Sequence, residues 1–251
     1  MKRRPRTRSA AGYLSEWLVF ETPDTPLFSL KSPHLRRGCE RTVRDNSNLS
    51  NVNDLGQTAT AEFESAANQL RSAQLRSELH VREIAAPDRI APKSLALSAG
   101  IIHNSLQAQE TGDSPYGAGR FILMYDPASA AEWGGPFRIV CFAQAPLELE
   151  IGIDPFIADV AWSWLIDALE TRGVNYSYES GTATKTLSSG FGSLASEAET
   201  AQIEIRASWT PLGVNFAAHA EAWGELLCLL AGLPHHDGIT SIVAQRARSS
   251  E

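Results

Sequence analysis

A strict alternation of apolar and polar side chains over residues 201–209 constrains the fold of this chain more than any other feature of its sequence. The apolar set is Ala201, Ile203, Ile205, Ala207 and Trp209, and the polar set is Gln202, Glu204, Arg206 and Ser208. A period of two is typical of a β-strand with one face in the core and the other in water, as antiparallel sheets allow. The segment therefore predicts a half-buried strand of an antiparallel sheet.

Further strands are expected on both sides of this one. Apolar runs separated by turn residues predict a short strand at residues 79–81 and four more at 95–102, 120–125, 137–143 and 147–151. No long helix separates them, which favours antiparallel pairing. A hairpin is expected over 174–179 and 182–187, with its turn at Ser180 and Gly181.

Helical spacing of apolar residues predicts about three helices. The first begins near Ala61, the second follows Asp154 and Pro155 and ends at Gly173, and the third is capped by Asn215 and ends before Gly232. The predicted order is one helix, five strands, one helix, three strands and a last helix. We therefore expect an α+β fold, a single domain with a mostly antiparallel sheet, over residues 61–234.

The segments on either side of that domain have a different composition. Residues 1–60 lack a sustained apolar period and are predicted to be a disordered basic arm, and residues 235–251 a flexible tail. Residues 1–44 carry ten Lys or Arg and four Asp or Glu, a charge of +6, which leaves 12 − 25 = −13 for the remainder. An acidic domain binds nucleic acid poorly, because contacts with phosphate groups depend on clustered Lys and Arg. No methionine lies between Met1 and Met124, so translation from a codon read here as Val43 or Val52 is an open alternative.

The sequence favours a cytoplasmic protein. No uncharged apolar run reaches the roughly 18 residues that a membrane span needs. The apolar run at residues 17–20 is too short for the core of a secretory signal. Cys39, Cys141 and Cys228 cannot all pair within the chain, and free thiols fit a reducing compartment.

Six blocks of sequence together resemble a known family. They are residues 95–99, 121–127, 133–140, 162–165, 201–212 and 222–234. On these blocks the stretch from about Phe63 to Pro234 resembles DUF3000, an actinobacterial family of proteins of unknown function. The resemblance supports the domain boundaries and implies no activity, cofactor or catalytic residue.

A loop between two predicted strands carries the most suggestive group of polar residues. Asp126 and Glu132, with His103, could act as an acid and a base in an enzyme. The structural alternative is that Asp126 caps a short helix that begins at Pro127, and that the sequence after Trp133 forms a turn. The acidic enzyme site is therefore the second hypothesis for function.

Other catalytic and cofactor sites find no support in the sequence. The histidines show neither the i, i+4 spacing nor the cysteine partners of a metal site, and His219 lies on the apolar stripe of its helix. Cys141 falls within a predicted strand, as an inert buried thiol would. Residues 190–192 lack the third glycine of a dinucleotide loop. We expect no metal and no cofactor.

The first hypothesis is a non-enzymatic protein-binding or adaptor module. The second predicted helix has an apolar face broader than one core contact needs, with Trp162 and Ile166 at its rim. Together with Trp133 of the loop, these residues are the predicted partner-binding positions. A protein partner and self-association are both open, through this face or through an edge of the sheet.

Overall fold

A computed structural model describes residues 49–102, 114–195 and 199–235, with side chains from residue 59 onward. Two short 3-10 turns, Pro127–Ser129 and Gly192–Leu194, accompany the helices and strands. The elements in chain order are α1 (Leu49–Arg71), β1 (Leu79–Ile84), β2 (Lys93–Ile101), β3 (Ala118–Tyr125), α2 (Ala130–Trp133), β4 (Phe137–Leu147), α3 (Leu149–Gly152), α4 (Ile157–Thr171), β5 (Asn175–Ser188), β6 (Thr200–Leu212) and α5 (Phe216–Leu230).

The strands form one antiparallel sheet of six, in the order β1-β2-β3-β4-β6-β5. Strand β6 contains the alternating segment, and Trp209 lies opposite Ile139 in its pairing with β4. The prediction of a single α+β domain with an antiparallel sheet is confirmed. Strands β1 and β5 are the two edges among the strands that the structure describes.

Helix α5 forms the centre of the core against one face of the sheet. Its side chains are buried almost all round, and the Trp223 Nε1 donates to the carbonyl oxygen of Phe142 in β4 at 3.1 Å. Space for the indole exists because β3 has a glycine opposite it: a Cβ on Gly119 would lie 2.8 Å from Trp223 Cζ2. The absence of one side chain thus sets the distance between α5 and the sheet.

Helices α1 and α4 pack around α5 and the same sheet face. Phe63 of α1 contacts the Tyr125 ring at a centroid distance of 6.2 Å, and the Tyr125 hydroxyl donates to Glu62 at 2.8 Å. On α4, Leu165 and Leu169 are fully buried in the same cluster. Burial of apolar area on one side of the sheet therefore holds these three helices in one layer.

Two predicted strand assignments are wrong. Residues 147–151 do not form a separate strand, because β4 continues to Leu147 and α3 begins at Leu149. Five residues of alternating character fit a strand and a single helical turn equally well. The expected hairpin is also wrong: Ser180 and Gly181 lie inside β5, where the register shifts between Ser177 and Ser180.

Two helix starts differ from the prediction, and a third is as expected. Helix α1 begins at Leu49 rather than near Ala61. Helix α4 begins at Ile157, and the Asp154 carboxylate accepts from the Phe156 backbone N–H at 2.8 Å just before it. Asn215 caps α5 as predicted, accepting from the Ala218 N–H.

Parts of the prediction lie outside the described residues. Most of the basic arm and residues 236–251 of the tail are among them. Within the part of the chain that the structure describes, no helix combines the length and the apolar character that a membrane crossing requires.

Candidate partner-binding surface

The predicted partner-binding residues do not form one surface. Trp162 is half-buried on α4, and its ring lies over Gly181 of β5, where a Cβ would be 2.5 Å from Cζ3. Ile166 is half-buried on the same helix. Trp133 ends α2, and its carbonyl accepts from the hydroxyl of Thr210, on the sheet face away from α5. Trp162 and Trp133 therefore lie on opposite sides of the sheet.

A different group of apolar side chains is exposed beside β5. We call it the apolar flank. Large apolar side chains of a folded core are normally less than a tenth exposed, so the exposed fractions of these side chains show that they lie outside the core. The flank consists of Ile151 (43%), Ile153 (59%), Phe156 (67%), Val160 (38%) and Leu187 (50%).

Close backbone packing fixes the apolar flank against β5. Gly152 of α3 has no side chain, which allows the Ala201 Cβ and the Leu187 Cδ2 to approach it. The Lys185 Nζ donates to the Asp154 carbonyl at 2.8 Å and so joins β5 to the turn before α4. Phe156 and Val160 follow one helical turn apart and project from the same side of α4. The flank is thus part of the folded layer rather than a loose loop.

The stretch of chain that carries most of the apolar flank is acidic. Residues 147–171 contain six acidic residues and no lysine, arginine or histidine. All six are exposed to solvent. They are Glu148, Glu150, Asp154, Asp159, Asp167 and Glu170. Exposed apolar area on an acidic stretch of chain favours positively charged ligands that also carry apolar groups.

Strand β5 offers a second means of binding beside the flank. It is 14 residues long and forms an edge among the described strands, so one row of its backbone N–H and C=O groups points outward. Edge strands are commonly protected by proline, by several charges or by a β-bulge; β5 has no proline and only Glu179 and Lys185 as charged residues, and its register shift is confined to residues 177–180. Such an edge can accept an added strand.

The acidic loop has a structural role in this fold. The Asp126 Oδ1 accepts from the Ala128 N–H at 3.0 Å and its Oδ2 accepts from the Ser129 hydroxyl at 2.7 Å, so both oxygens cap the turn that begins at Pro127. Glu132 is exposed to solvent. His103 lies outside the described residues. Two grooves among the described residues, of about 550 and 290 Å³, are lined by neither carboxylate.

His219 is a core residue, as its position on the apolar stripe indicated. It is 2% exposed, and its Nδ1 accepts from the Trp209 Nε1–H at 3.1 Å. Burial lowers the pKa of this imidazole to about 4, which keeps it neutral at physiological pH. Among the described residues, no three side chains of His, Cys, Asp or Glu converge on a point where a metal ion could bind.

Comparison with known proteins adds a family but no activity. Residues 59–240 match a family described as protein of unknown function (DUF3000). A search of curated proteins and a search of solved structures found no match to this chain.

Proposed function

For a chain that belongs to the DUF3000 family, we propose the function of a non-enzymatic protein-binding module that binds a basic, apolar segment of another polypeptide. The apolar flank and the free edge of β5 form the binding surface. The observation that carries this proposal is the exposure of five large apolar side chains, each 38–67% exposed, beside a strand that forms an edge of the described sheet. A partner that covers them removes apolar area from water and pairs the outward backbone groups.

Charge selects the class of partner. The six carboxylates of residues 147–171 favour Lys and Arg on the bound segment. A second copy of this chain would bring the same six carboxylates to the interface, and like charges at close range oppose that pairing. Phosphate backbones are repelled for the same reason, which disfavours nucleic acid at this surface.

We place this activity in the cytosol. Cys141 and Cys228 are free and buried, and burial raises the pKa of each thiol to about 12. Thiols that stay reduced fit a reducing compartment. The enzyme alternative around Asp126 and Glu132 stays a prediction, and we rank it second because both oxygens of Asp126 accept hydrogen bonds in capping.

Site-specific photocrosslinking tests the proposal. The photoreactive residue benzoylphenylalanine replaces Phe156 in the full chain, and after irradiation in cells the crosslinked peptide is sequenced by mass spectrometry. Val214 is the matched control, because it is apolar, 78% exposed and outside the apolar flank. We expect position 156 to crosslink repeatedly to one segment of another protein, in which apolar residues lie between Lys or Arg. We expect no crosslink to such a segment from position 214.

Each result of the crosslinking has a defined meaning. A basic, apolar segment of another protein that crosslinks only from position 156 supports the proposal. A crosslink to a second copy of this chain, an acidic segment, or equal products from both positions would refute the assigned partner class.

A further inference from the structure

A buried guanidinium on β4 is surrounded by hydroxyl groups. Arg138 is 8% exposed; its Nη1 donates to the Thr210 Oγ1 at 3.0 Å, and its Nη2 donates to the Ser208 Oγ at 2.7 Å and the Ser180 Oγ at 3.5 Å. The Thr210 hydroxyl donates in turn to the Trp133 carbonyl. We call these four side chains, Arg138, Ser180, Ser208 and Thr210, the arginine–hydroxyl cluster.

The charge of this cluster is not balanced by any acid that the structure describes. No carboxylate of the described ranges forms an ion pair with Arg138, whereas Arg71, Arg76, Arg172 and Arg206 each have at least one. Burial lowers the pKa of the Arg138 guanidinium. Three hydroxyls accept hydrogen bonds from this buried guanidinium but do not neutralise its charge, and a bound anion would supply the opposite charge.

The cluster also has hydrogen-bond donors to spare. A guanidinium has five N–H donors, and hydroxyls occupy three of those of Arg138. Its Nε–H and the second Nη1–H have no acceptor among the described residues. The Ser180 and Ser208 hydroxyls lie 3.2 Å apart and share one hydrogen, which leaves the other hydroxyl hydrogen for a further acceptor. The Nε–H lies on the same edge of the guanidinium as Nη2, which donates to Ser180 and Ser208, so an oxyanion on that edge can accept from the Nε–H and from a serine hydroxyl.

One side of the cluster opens at a distorted part of β5. Ser180 is exposed and follows the register shift. Tyr178 has a φ of +54°, a backbone conformation that residues other than glycine rarely adopt. The Tyr178 ring lies against Gly134, in the turn that follows Trp133, where a Cβ would collide with it. Backbone strain of this kind is concentrated at binding sites.

We propose that the arginine–hydroxyl cluster binds an oxyanion, a phosphoryl or carboxylate group of a small molecule that enters beside Ser180. The guanidinium contributes its Nε–H and the charge, and Ser180 contributes its hydroxyl. This site lies on the sheet face away from α5; it shares strand β5 with the partner-binding surface, but none of its four side chains belongs to the apolar flank.

A titration of the full chain with sodium phosphate, and a second with sodium acetate, tests the site. Sodium chloride at equal ionic strength is the reference, and the Tm together with the NMR shift of the Arg138 Nε–H is followed. We expect a saturable rise in Tm and a saturable shift with at least one oxyanion. Ser180→Ala weakens binding roughly tenfold, as expected for one hydrogen bond within a charged site.

Two further variants make the result decisive. Ser188→Ala is the control, since Ser188 is an exposed serine of the same strand outside the cluster, and it should bind as the natural protein does. Arg138→Lys should abolish binding if it folds; if it does not, Ser180→Ala decides. A response to phosphate alone assigns a phosphoryl group and a response to acetate assigns a carboxylate. No response beyond chloride, or an unchanged affinity in Ser180→Ala, overturns the proposal.

Discussion

The buried imidazole of His219 makes fold stability depend on pH in a way that one variant can isolate. Its pKa is about 4 in the folded protein and about 6.5 in an unfolded chain. Folding therefore favours the neutral imidazole. The contribution of His219 to the free energy of unfolding is complete above pH 6.5 and is lost as the pH falls towards 4. Linkage with these two values gives a loss of about 2 kcal/mol between pH 7 and pH 5.

The assay is urea denaturation at pH 7, 6 and 5, with the His219→Asn variant as reference. Asparagine keeps an oxygen acceptor for the Trp209 N–H, which His219 accepts at 3.1 Å, but does not titrate. The packing cost of this substitution does not change with pH, and the other titrating groups are common to both proteins. The natural protein should therefore lose about 2 kcal/mol more than the variant between pH 7 and pH 5. Parallel losses in the two proteins would refute the assignment of a buried, neutral imidazole.

Two further substitutions test the core by the same denaturation assay at pH 7. Gly119→Ala places a methyl group 2.8 Å from the Trp223 ring, which must shift and weaken its hydrogen bond, so a loss of about 2–4 kcal/mol is expected; unchanged stability would show that the ring has room. Glu225→Leu removes one of the two carboxylates that pair with Arg76 and leaves Glu78 at 2.7 Å, so it should cost about 1–3 kcal/mol; unchanged stability would show that Glu78 alone balances the guanidinium.

Elements with a long, regular pattern could be predicted from the sequence. The alternation at 201–209 corresponds to β6, and the apolar stripe after Asn215 corresponds to α5. The assignments that were wrong involve short segments or tertiary contacts. Ser180 and Gly181 resemble a hairpin turn locally, but the Trp162 ring on α4 occupies the space that a side chain at position 181 would take.

The exposure of the apolar flank depends on tertiary contacts, which the pattern of apolar residues in the sequence does not show. Ile151 lay in a predicted strand, Ile153 between that strand and the next predicted helix, and Phe156 at the start of that helix, so their exposure was not predictable. Arg138 was detectable, since an arginine between Phe137 and Ile139 of an apolar strand must find polar partners. Which residues surround it follows only from the pairing of β4 with β6 and β5.

The most direct measurement of the proposed function is the affinity of the full chain for the crosslinked segment, made as a synthetic peptide. The exposed Phe156 and Val160 should be covered in the complex, so a Phe156→Ser, Val160→Ser double variant should raise the Kd at least tenfold, whereas Val214→Ser should not change it. Added salt should also raise the Kd, because carboxylates pair with Lys or Arg. An equal Kd for the double variant and the natural protein would contradict the account.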